Sequence, residues 1–391
     1  MGGSSVRHRS PTITVTRGRF AATAGQVLEH VRAAGCAARE EIASGTGLSV
    51  ATIGRSVGPL VEARLLRERP DLARTGAVGR PSTPVQIDTD HFAVLGVHIG
   101  RRIATVALGD VAGRVITHRT IRRSAGAAPD LPALARAASD LLADEPGRAP
   151  LALGVVAPWR DLGLDEAAIE SELAELTGLD VRSGDHIAAV AAAEYFHRRQ
   201  GTTGVTLYVY ARDTIGFAAA VDKGTGVEVS RVSSLSHFPT GSDVQCSCGR
   251  TGCLEVTAGN EAVMARARAA GIVDGDDPAA LYAAGAAIRP LLAERAAVLG
   301  RVTATVRDMI APDRVVLVGQ GFTGEPAVLA DVLAECDRGA LHDVPVSFTR
   351  FGAGIQAVSS CTVALRPIYD DPFALVARPQ RPAAPTSPAI A

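Results

Sequence analysis

The sequence predicts an α/β protein in which a small N-terminal winged helix-turn-helix precedes a larger domain of mixed strands and helices. Three observations lead to this fold class. Residues 20 to 88 carry three short helical patterns and then two extended segments. From residue 91 onward, short apolar runs typical of buried strands alternate with longer helical patterns. A glycine-punctuated loop with three cysteines, within residues 237 to 255, interrupts this second region.

The composition limits the classes of protein to which the chain can belong. With 391 residues, of which 47% are apolar, it is long enough for two or three domains with real cores. Its formal net charge of -1 gives no whole-chain reason to expect nucleic acid. Residues 1 to 90, however, hold 12 Arg against 8 Asp and Glu, a local excess of +4. No signal pattern opens the chain and no apolar run approaches the roughly 20 residues that cross a bilayer, so we expect a cytoplasmic protein with no membrane partner.

The N-terminal region begins with a predicted flexible arm, residues 1 to 19, rich in Ser, Arg and Thr. Apolar residues at helical spacing then predict three helices, over about 24 to 35, 37 to 44 and 50 to 65. Ser49 is the expected N-cap of the third helix. The inward face of that helix is expected to hold Val50, Ile53, Val57, Leu60 and Val61. A tight Gly-Thr-Gly turn between the second and third helices makes the segment a helix-turn-helix.

The outward face of the third helix is suited to the major groove of DNA. Its residues are short or basic: Ser49, Thr52, Arg55 and Ser56. Two extended segments follow, joined by a stretch rich in Gly, Arg and Pro. They predict a hairpin, or wing, whose Arg74 and Arg80 suit phosphate or minor-groove contacts. We therefore predict a DNA-binding domain over residues 20 to 88; the alternative is a small helical module that binds protein.

The larger region, residues 91 to 370, alternates strand and helix patterns. Strands are expected near residues 92–97, 103–108, 115–118, 151–156, 181, 204–210, 217–221 and 314–318. Helices are expected near residues 131–142, 164–176, 187–198, 260–270, 278–283 and 286–310. Residues 371 to 391 are dominated by Pro and Ala, and we predict a disordered tail there.

Three closely spaced cysteines and a histidine predict a metal site. Cys246, Cys248 and Cys253 have the spacing Cys-x-Cys-x4-Cys, glycines allow a tight knuckle, and His237 lies close upstream. A closed set of one histidine and three cysteines leaves no open position, so we predict one structural zinc ion per chain. The alternative is a group of ordinary buried thiols, but a polar, glycine-rich loop is a poor place to bury them.

The run Cys-Ser-Cys-Gly-Arg-Thr-Gly-Cys-Leu-Glu at 246 to 255, preceded by a histidine, resembles the signature of the ROK family of repressors, open reading frames and kinases. The resemblance implies a ROK domain over residues 91 to 370 with a two-lobed, actin-like, sugar-kinase-like fold. It implies zinc held by the histidine and the three cysteines, and a bound sugar reached by Glu255. The winged helix-turn-helix that precedes the domain resembles that of the family's repressors and is absent from its kinases.

The chain departs from the family's kinases where they bind phosphate and activate the sugar. The loop after the first strand of the domain reads His98-Ile-Gly-Arg-Arg102, where the kinases have paired glycines. A second loop contains Asp213, which would repel phosphate, and only Gly319-Gln-Gly321 still resembles a nucleotide-binding turn. An alignment on the helix near residue 194 puts His186 at the position of the catalytic aspartate, with Asp185 one residue away. We therefore predict no catalytic residues and no nucleotide cofactor.

Sugar recognition is also altered. The Glu-x-Gly-His motif of the family has become Ser-Leu-Ser-His in this chain, which removes a carboxylate acceptor. The candidate ligand-binding residues are Trp159, Arg160, Asp185, His186, His237 and Glu255. Trp159, the only tryptophan, could stack on a sugar or could equally be a packing residue. His237 and Glu255 could serve only the knuckle.

These observations predict a DNA-binding transcriptional regulator rather than an enzyme. We expect a repressor of genes of carbohydrate-related or secondary metabolism, modulated by a sugar or sugar derivative. It would bind an inverted-repeat operator in double-stranded DNA as a homodimer or higher homo-oligomer. One alternative is a ROK-type sugar kinase with an extra N-terminal domain. Another is a ligand-independent regulator whose ROK domain is only a dimerisation scaffold.

Overall fold

The computed structural model describes residues 13–16, 23–73, 83–124, 126–197, 203–223, 226–230, 232–275, 277, 279–338 and 343–376. The chain divides into two compact units. The N-terminal unit consists of Thr14–Thr202, Lys223–Glu228 and Ile355–Ala391. The central unit consists of Met1–Ile13, Thr203–Asp222 and Val229–Gly354.

Three helices and a hairpin form the first part of the N-terminal unit. The elements in order are β1 (Ile13–Thr16), α1 (Thr23–Ala34), α2 (Arg39–Thr46), α3 (Val50–Glu62), β2 (Leu66–Glu68) and β3 (Val85–Ile87). The Ser49 hydroxyl accepts a hydrogen bond from the Thr52 backbone N–H at 3.1 Å, which confirms Ser49 as the N-cap of α3. Gly47 ends α2 with φ at 71°, a left-handed conformation that glycine adopts without steric strain.

Apolar residues at helical spacing hold the three helices together. Val31 on α1, Ile42 on α2 and Ile53 on α3 are all fully buried in one core. Val50 was expected in this core but is 50% exposed, because the first residue of α3 lies at the edge of the helix bundle. The hairpin pairs β2 with β3 in antiparallel register, as the sequence predicts for a wing.

A five-stranded sheet follows in the same unit, with the order β6-β5-β4-β7-β8. Its strands are β4 (Phe92–Ile99), β5 (Ile103–Asp110), β6 (Val115–Arg122), β7 (Ala149–Ala157) and β8 (Asp180–Asp185). Strands β4 to β6 form an antiparallel meander, whereas β7 is parallel to both β4 and β8. The accompanying helices are α4 (Leu131–Ala143), α5 (Trp159–Leu162), α6 (Glu166–Thr177) and α7 (His186–Phe196).

The elements from residue 204 to residue 348 form a second α/β array. The strands are β9 (Gly204–Ala211), β10 (Ile215–Asp222), β11 (Gly226–Val229), β12 (Ser233–Ser234), β13 (Arg314–Val318) and β14 (Val346–Phe348). The helices are α8 (Leu254–Ala258), α9 (Asn260–Ala269), α10 (Ala279–Ala283), α11 (Arg289–Ile310), α12 (Gln320–Thr323) and α13 (Leu329–Asp337). In the central unit, β9 lies between antiparallel β10 and parallel β13, and β14 continues the sheet beyond β13.

The last two helices, α14 (Ile355–Asp370) and α15 (Pro372–Val376), return to the N-terminal unit. Two glycines let α14 lie directly on the sheet. A Cβ atom at Gly96 of β4 would come within 2.4 Å of the Ser360 hydroxyl, and one at Gly154 of β7 within 2.1 Å of the Ser360 carbonyl oxygen. The core under α14 also contains the buried residues of α1 to α3, so the helix-turn-helix and this sheet share one apolar core.

The structure differs from the sequence expectations at both ends of the chain. The predicted arm contains the strand β1, whose sequence Ile-Thr-Val-Thr has the β-branched residues that favour extended backbone. The predicted tail, residues 371 to 391, begins with helix α15 before the described residues end at 376. Short 3₁₀ turns occur at Pro70–Leu72, Gly285–Ile288, Pro326–Val328 and Gly352–Gly354. Within the described ranges, no helix is both long enough and apolar enough to span a bilayer.

Candidate functional site

Four potential metal ligands lie together in the central unit: His237, Cys246, Cys248 and Cys253. Their ligand atoms all lie within 4.8 Å of one another. His237 Nδ1 is 3.6 Å from Cys246 Sγ, and Cys248 Sγ is 3.6 Å from Cys253 Sγ. Tetrahedral zinc with its usual bond lengths would separate two sulfurs by about 3.8 Å and a sulfur from a nitrogen by about 3.5 Å. The set therefore fits a closed, four-coordinate metal ion.

Backbone hydrogen bonds fold the cysteine loop into a knuckle. The Cys246 N–H donates to the Arg250 carbonyl at 2.8 Å, and the Gly249 N–H donates to the Cys246 carbonyl at 3.0 Å. Gly249 has φ at 86° and Gly252 has φ at 67°, both in the left-handed region. A Cβ atom at Gly252 would also lie 2.3 Å from the Ser242 carbonyl oxygen. These two glycines are what allow the thiols to converge.

The thiols of the knuckle lie in unequal environments. Hydrogen bonds from the backbone and side chain of Arg250 lower the pKa of the exposed Cys248 to about 6. Burial raises the pKa of Cys253 to about 11. A bound cation would favour the thiolate form of each cysteine, because only the thiolate is a strong metal ligand.

Glu255 lies two residues beyond the last cysteine, in the first turn of α8. Its backbone N–H donates to the Ser236 carbonyl at 2.8 Å, and the residue is half-buried. This bond ties α8 to the segment that carries His237. The position is compatible both with support of the knuckle and with the contact to a sugar that the family resemblance implies.

The outward face of α3 holds the four residues predicted to face DNA. Three of them already make local hydrogen bonds: the Ser49 and Thr52 hydroxyls are 2.9 Å apart, and the Ser56 hydroxyl donates to the Thr52 carbonyl at 3.1 Å. Arg55 is the long, exposed side chain of the group. Arg74 and Arg80, predicted at the tip of the wing, lie outside the described residues.

Several candidate ligand residues lie at one edge of the N-terminal sheet. His98 is opposite Val156 in the β4–β7 pair, and Ala157 is opposite Asp185 in the β7–β8 pair. The carboxyl ends of parallel strands therefore bring His98, the start of α5 and Asp185 side by side. Ligands of open α/β sheets typically bind at this edge.

Asp185 is the N-cap of α7, and its carboxylate accepts a hydrogen bond from the Ile187 N–H at 3.3 Å. Burial raises the pKa of Asp185 to about 7, and the nearby carboxylates of Asp161 and Glu166 act in the same direction. Arg160 acts in the opposite direction. Asp185 is thus a carboxyl group that titrates near neutrality in a sheet-edge position, which is a common property of functional sites.

His186 follows Asp185 in the chain, but its side chain is buried. It is 2% exposed and is paired with His98, whose Nε2 is 2.7 Å from His186 Nδ1. Both histidines are buried, and their rings meet edge to face with centroids 4.8 Å apart. A hydrogen bond between two imidazoles requires one of them to donate and the other to accept, so the pair cannot carry two positive charges and remain bonded.

Trp159 is buried, with 4% of its surface exposed, and its indole N–H donates to the Gly184 carbonyl at 3.0 Å. The prediction that its ring could stack on a sugar is therefore not supported, because the ring packs in the core of the N-terminal unit. The alternative of a packing residue describes it better. Arg160, the next residue, is exposed and reaches the environment of Asp185 only through its charge.

Protein groups make hydrogen bonds to one another within the two loops that the family resemblance matches to the phosphate loops of the kinases. The Gly100 N–H donates to the Ile103 carbonyl at 2.8 Å, so the first loop is a tight turn between β4 and β5. In the second loop, the carboxylate of Asp213 accepts a hydrogen bond from Asn260 at 2.8 Å. This pair places a carboxylate in the loop, and a carboxylate repels phosphate.

The Gly319-Gln-Gly321 turn after β13 is occupied by a side chain of α11. A Cβ atom at Gly321 would lie 2.9 Å from Nη2 of Arg295, whose surface is only 2% exposed. Arg295 donates to the Tyr282 hydroxyl at 3.0 Å. Gly319 has φ at 95° and lies against the Ala211 carbonyl. The glycines of this turn thus accommodate protein atoms.

Sequence reasoning missed His98, Asn260 and Arg295 as partners of these sites. The sequence indicates His98 only as part of an altered loop, and its contact with His186 joins residues 88 positions apart. Asn260 and Arg295 lie within helical patterns, where a polar residue is normally expected to face solvent. Only their positions in the helical period, where an apolar residue is expected, could have indicated that they face inward.

Two relatives that are named as transcriptional regulators are similar to this chain. The chain is 35% identical over 388 residues to "Transcriptional regulator Rv0485" of Mycobacterium tuberculosis, an alignment that covers 91% of this chain and 87% of the relative. It is 26% identical over 247 residues to "DNA-binding transcriptional dual regulator NagC" of Escherichia coli, covering 58% of this chain and 60% of NagC.

Solved structures share the fold. A ROK family transcriptional regulator, described as a homologue of the E. coli MLC protein, superposes with a TM-score of 0.72 at 19% identity, over 91% of this chain and 98% of that one. A ROK family glucokinase from Streptomyces griseus superposes with a TM-score of 0.57 at 18% identity, over 70% of this chain and 99% of the glucokinase. These similarities confirm the predicted fold class. The model of the ROK family matches residues 94–351, and the chain belongs to the ROK family.

Proposed function

We propose that the protein is a DNA-binding transcriptional regulator with a non-catalytic ROK domain. The observation that carries the proposal is the combination of two features in one chain. A helix-turn-helix with an exposed arginine on its third helix precedes a ROK domain. In that domain, His186, which the family resemblance aligns with the kinase aspartate, is paired with His98, and Asp213, in a loop that the resemblance aligns with a phosphate loop, is paired with Asn260. The names of the relatives Rv0485 and NagC support the same function.

The regulator is proposed to act as a repressor of carbohydrate-related or secondary metabolism genes, with a sugar or sugar derivative as its effector. A relative from Escherichia coli O6:H1, 26% identical over 247 residues, is named "N-acetylglucosamine repressor", and this name supports a sugar-related signal. Asp185 and Arg160 at the sheet edge are proposed as polar contacts of such a ligand, and Glu255 of the central unit is the sugar contact that the family resemblance implies. The charged rather than apolar character of these three residues suits a hydroxyl-rich or anionic molecule.

The metal ion is proposed to be zinc, bound once per chain by His237, Cys246, Cys248 and Cys253. Three sulfurs and one imidazole nitrogen form a set that zinc prefers over calcium or magnesium. When bound, the ion would cross-link the loop to the segment before it and would supply no chemistry, since all four positions are taken by protein. Its role is therefore the stability of the region that carries Glu255.

DNA recognition is proposed to use Arg55 for a base contact and Arg80 for a phosphate contact. Arg55 is exposed on α3, while Ser49, Thr52 and Ser56 are short enough to let the helix approach the groove floor. Helix-turn-helix proteins commonly bind as dimers with recognition helices about 34 Å apart. We therefore expect an inverted repeat and a homodimer or higher homo-oligomer.

Operator binding tests this function. The operator would first be identified by mapping the genomic DNA that the protein binds, and affinity would then be measured at fixed salt. Arg55→Ala should weaken operator binding by roughly 1–3 kcal/mol and relax the preference at one base pair. Arg136→Ala, an exposed arginine on α4 outside the helix-turn-helix, is the matched control and should leave affinity unchanged. Absence of any sequence-specific DNA binding would refute the proposal.

Two other functions are separated from this one by simple assays. A sugar kinase would phosphorylate a member of a sugar panel in the presence of ATP. We expect no transfer, because Asp213 puts a carboxylate in one of the two altered loops and the Asp185 carboxylate is engaged as the cap of α7. A ligand-independent regulator would bind its operator but show no thermal shift with any sugar. If no sugar gives a thermal shift, the proposed DNA binding would stand and only the proposed sugar effector would be wrong.

A further inference from the structure

Helix α7 connects the candidate ligand edge of the N-terminal unit with the helix-turn-helix. All eleven of its residues, from His186 to Phe196, are buried. At 1.5 Å per residue, the helix is about 16 Å long. Because close-packed side chains surround the helix, bending it would require its neighbours to move. A displacement of its first turn is therefore expected to move the whole helix.

The first turn of α7 belongs to the ligand edge. Asp185 caps it through the Ile187 N–H, and the imidazole of His186 is bonded to His98 at the end of β4. A ligand that contacts Asp185 therefore contacts the cap of α7 directly. A change in the charge or the geometry of this cap is the event that would shift the helix.

The last residue of α7 contacts the helix-turn-helix. The guanidinium carbon of Arg32, on α1, lies 3.9 Å from the centroid of the Phe196 ring, within the range of a cation–π contact. The side chain of Arg32 is 7% exposed and is held by two hydrogen bonds to Glu29, of 2.9 and 2.7 Å. Tyr369 of α14 lies beside both residues. Its ring centroid is 5.2 Å from that of Phe196 and 5.8 Å from the guanidinium carbon of Arg32. We call this contact of Arg32, Phe196 and Tyr369 the joint.

Helix α1 packs closely against α14 near these side chains. A Cβ atom at Gly25 of α1 would lie 2.2 Å from the Tyr369 carbonyl oxygen, so the backbones of α1 and α14 are in direct contact. Val31 of α1 packs in the same core as Ile53 of α3. Because interiors packed at this density do not deform continuously, α1 and the recognition helix α3 follow a movement of Phe196 as one body.

We propose that α7 transmits the state of the ligand edge to the recognition helix, and that Arg32 is the positioning residue that receives it on the face of Phe196. The proposal rests on the DNA-binding function proposed above. The coupling would appear as a change in operator affinity, of the 5- to 150-fold size common for linked sites.

A double-mutant cycle tests the coupling in the full-length protein without knowledge of the effector. Asp185→Asn keeps a capping oxygen for the Ile187 N–H but removes the ionisable carboxyl group from the cap of α7, and this change stands in for the ligand. Phe196→Leu keeps the joint apolar but removes the aromatic face beneath Arg32. We expect Asp185→Asn to change operator affinity at least 5-fold in the wild-type background and less than 2-fold in the Phe196→Leu background.

Phe92→Leu is the matched control, since Phe92 is a buried phenylalanine of the same core. In that background the effect of Asp185→Asn should be retained in full. An equal effect of Asp185→Asn in the wild-type and Phe196→Leu backgrounds would overturn the proposal. So would an effect below 2-fold in the wild type, because the carboxyl group at the cap would then have no influence on DNA binding.

Hydrogen–deuterium exchange separates failure of this coupling from failure of the proposed function. In free protein, Asp185→Asn should change the exchange of the α1 amides in the wild-type background and not in the Phe196→Leu background. If the protein binds no specific DNA but the α1 amides respond in this way, the regulator function is wrong and the coupling stands. If the protein binds its operator and the α1 amides do not respond, the coupling is wrong and the regulator function stands.

Discussion

Replacement of Asp185 by Asn should stabilise the protein, and the gain should grow with pH. Burial, together with Asp161 and Glu166, raises the pKa of Asp185 from its ordinary 3.8 to about 7. A carboxyl group with a raised pKa takes up a proton in the folded state before it does in the unfolded chain. Its contribution to the free energy of unfolding is therefore greatest at low pH and declines as pH rises toward 7. An ionised Asp185 costs the folded state about 4 kcal/mol above that pH.

The Asn variant isolates this charge, because Asn caps a helix about as well as Asp and keeps the acceptor for the Ile187 N–H. Chemical denaturation at several pH values, with circular dichroism as the readout, gives the free energy of unfolding of both proteins. We expect the advantage of Asp185→Asn over the wild type to increase by about 3 kcal/mol between pH 5 and pH 8. Asp130→Asn, at the exposed N-cap of α4, should show no such increase. An equal difference for Asp185→Asn at both pH values would refute the reasoning.

Three further predictions concern the metal, the packing of α14 and the contacts to DNA. Cys248→Ser should abolish zinc binding and lower the melting temperature. The control Cys36→Ser should retain one zinc per chain, as measured by elemental analysis. A wild-type protein without metal and with reactive thiols would contradict this prediction. Gly154→Ala should destabilise the protein by about 3 kcal/mol because its Cβ atom would overlap α14, whereas Gly54→Ala, in open space on α3, should stabilise it by about 1 kcal/mol; equal denaturation midpoints would contradict the packing argument. Arg80→Ala should weaken binding to all DNA sequences alike and reduce the salt dependence of affinity by about one unit of slope, and a sequence-specific loss in titrations at several salt concentrations would contradict a phosphate contact.

The sequence predicted the elements whose apolar period is regular. Helix α3, expected over 50 to 65, runs over Val50–Glu62, and the strand expected at 314 to 318 is Arg314–Val318. The knuckle was predictable because its four ligands lie within a short stretch of chain and glycines separate them. Ligand type, spacing and turn chemistry are all local properties, so they can be read without knowledge of the tertiary structure.

Contacts between distant segments could not be predicted in the same way. The pairing of His98 with His186 depends on the order of strands β4, β7 and β8, which no local pattern specifies. Trp159 likewise needs a distant partner when it is buried. Its indole N–H donates to the Gly184 carbonyl, which comes into reach only after β7 and β8 have paired. Helix α14 combines small, polar and apolar residues, and its burial follows from glycines in β4 and β7 that are far away in sequence.

Trp159 gives the protein an intrinsic fluorescent probe. It is the only tryptophan among the 391 residues, so excitation at the red edge of indole absorption reports one environment. That environment is the carbonyl of Gly184, which immediately precedes Asp185. A ligand that shifts the start of α7 would change the hydrogen bond of the indole N–H and with it the emission wavelength. Compound libraries could therefore be screened by intrinsic fluorescence on unlabelled protein, before any operator is known.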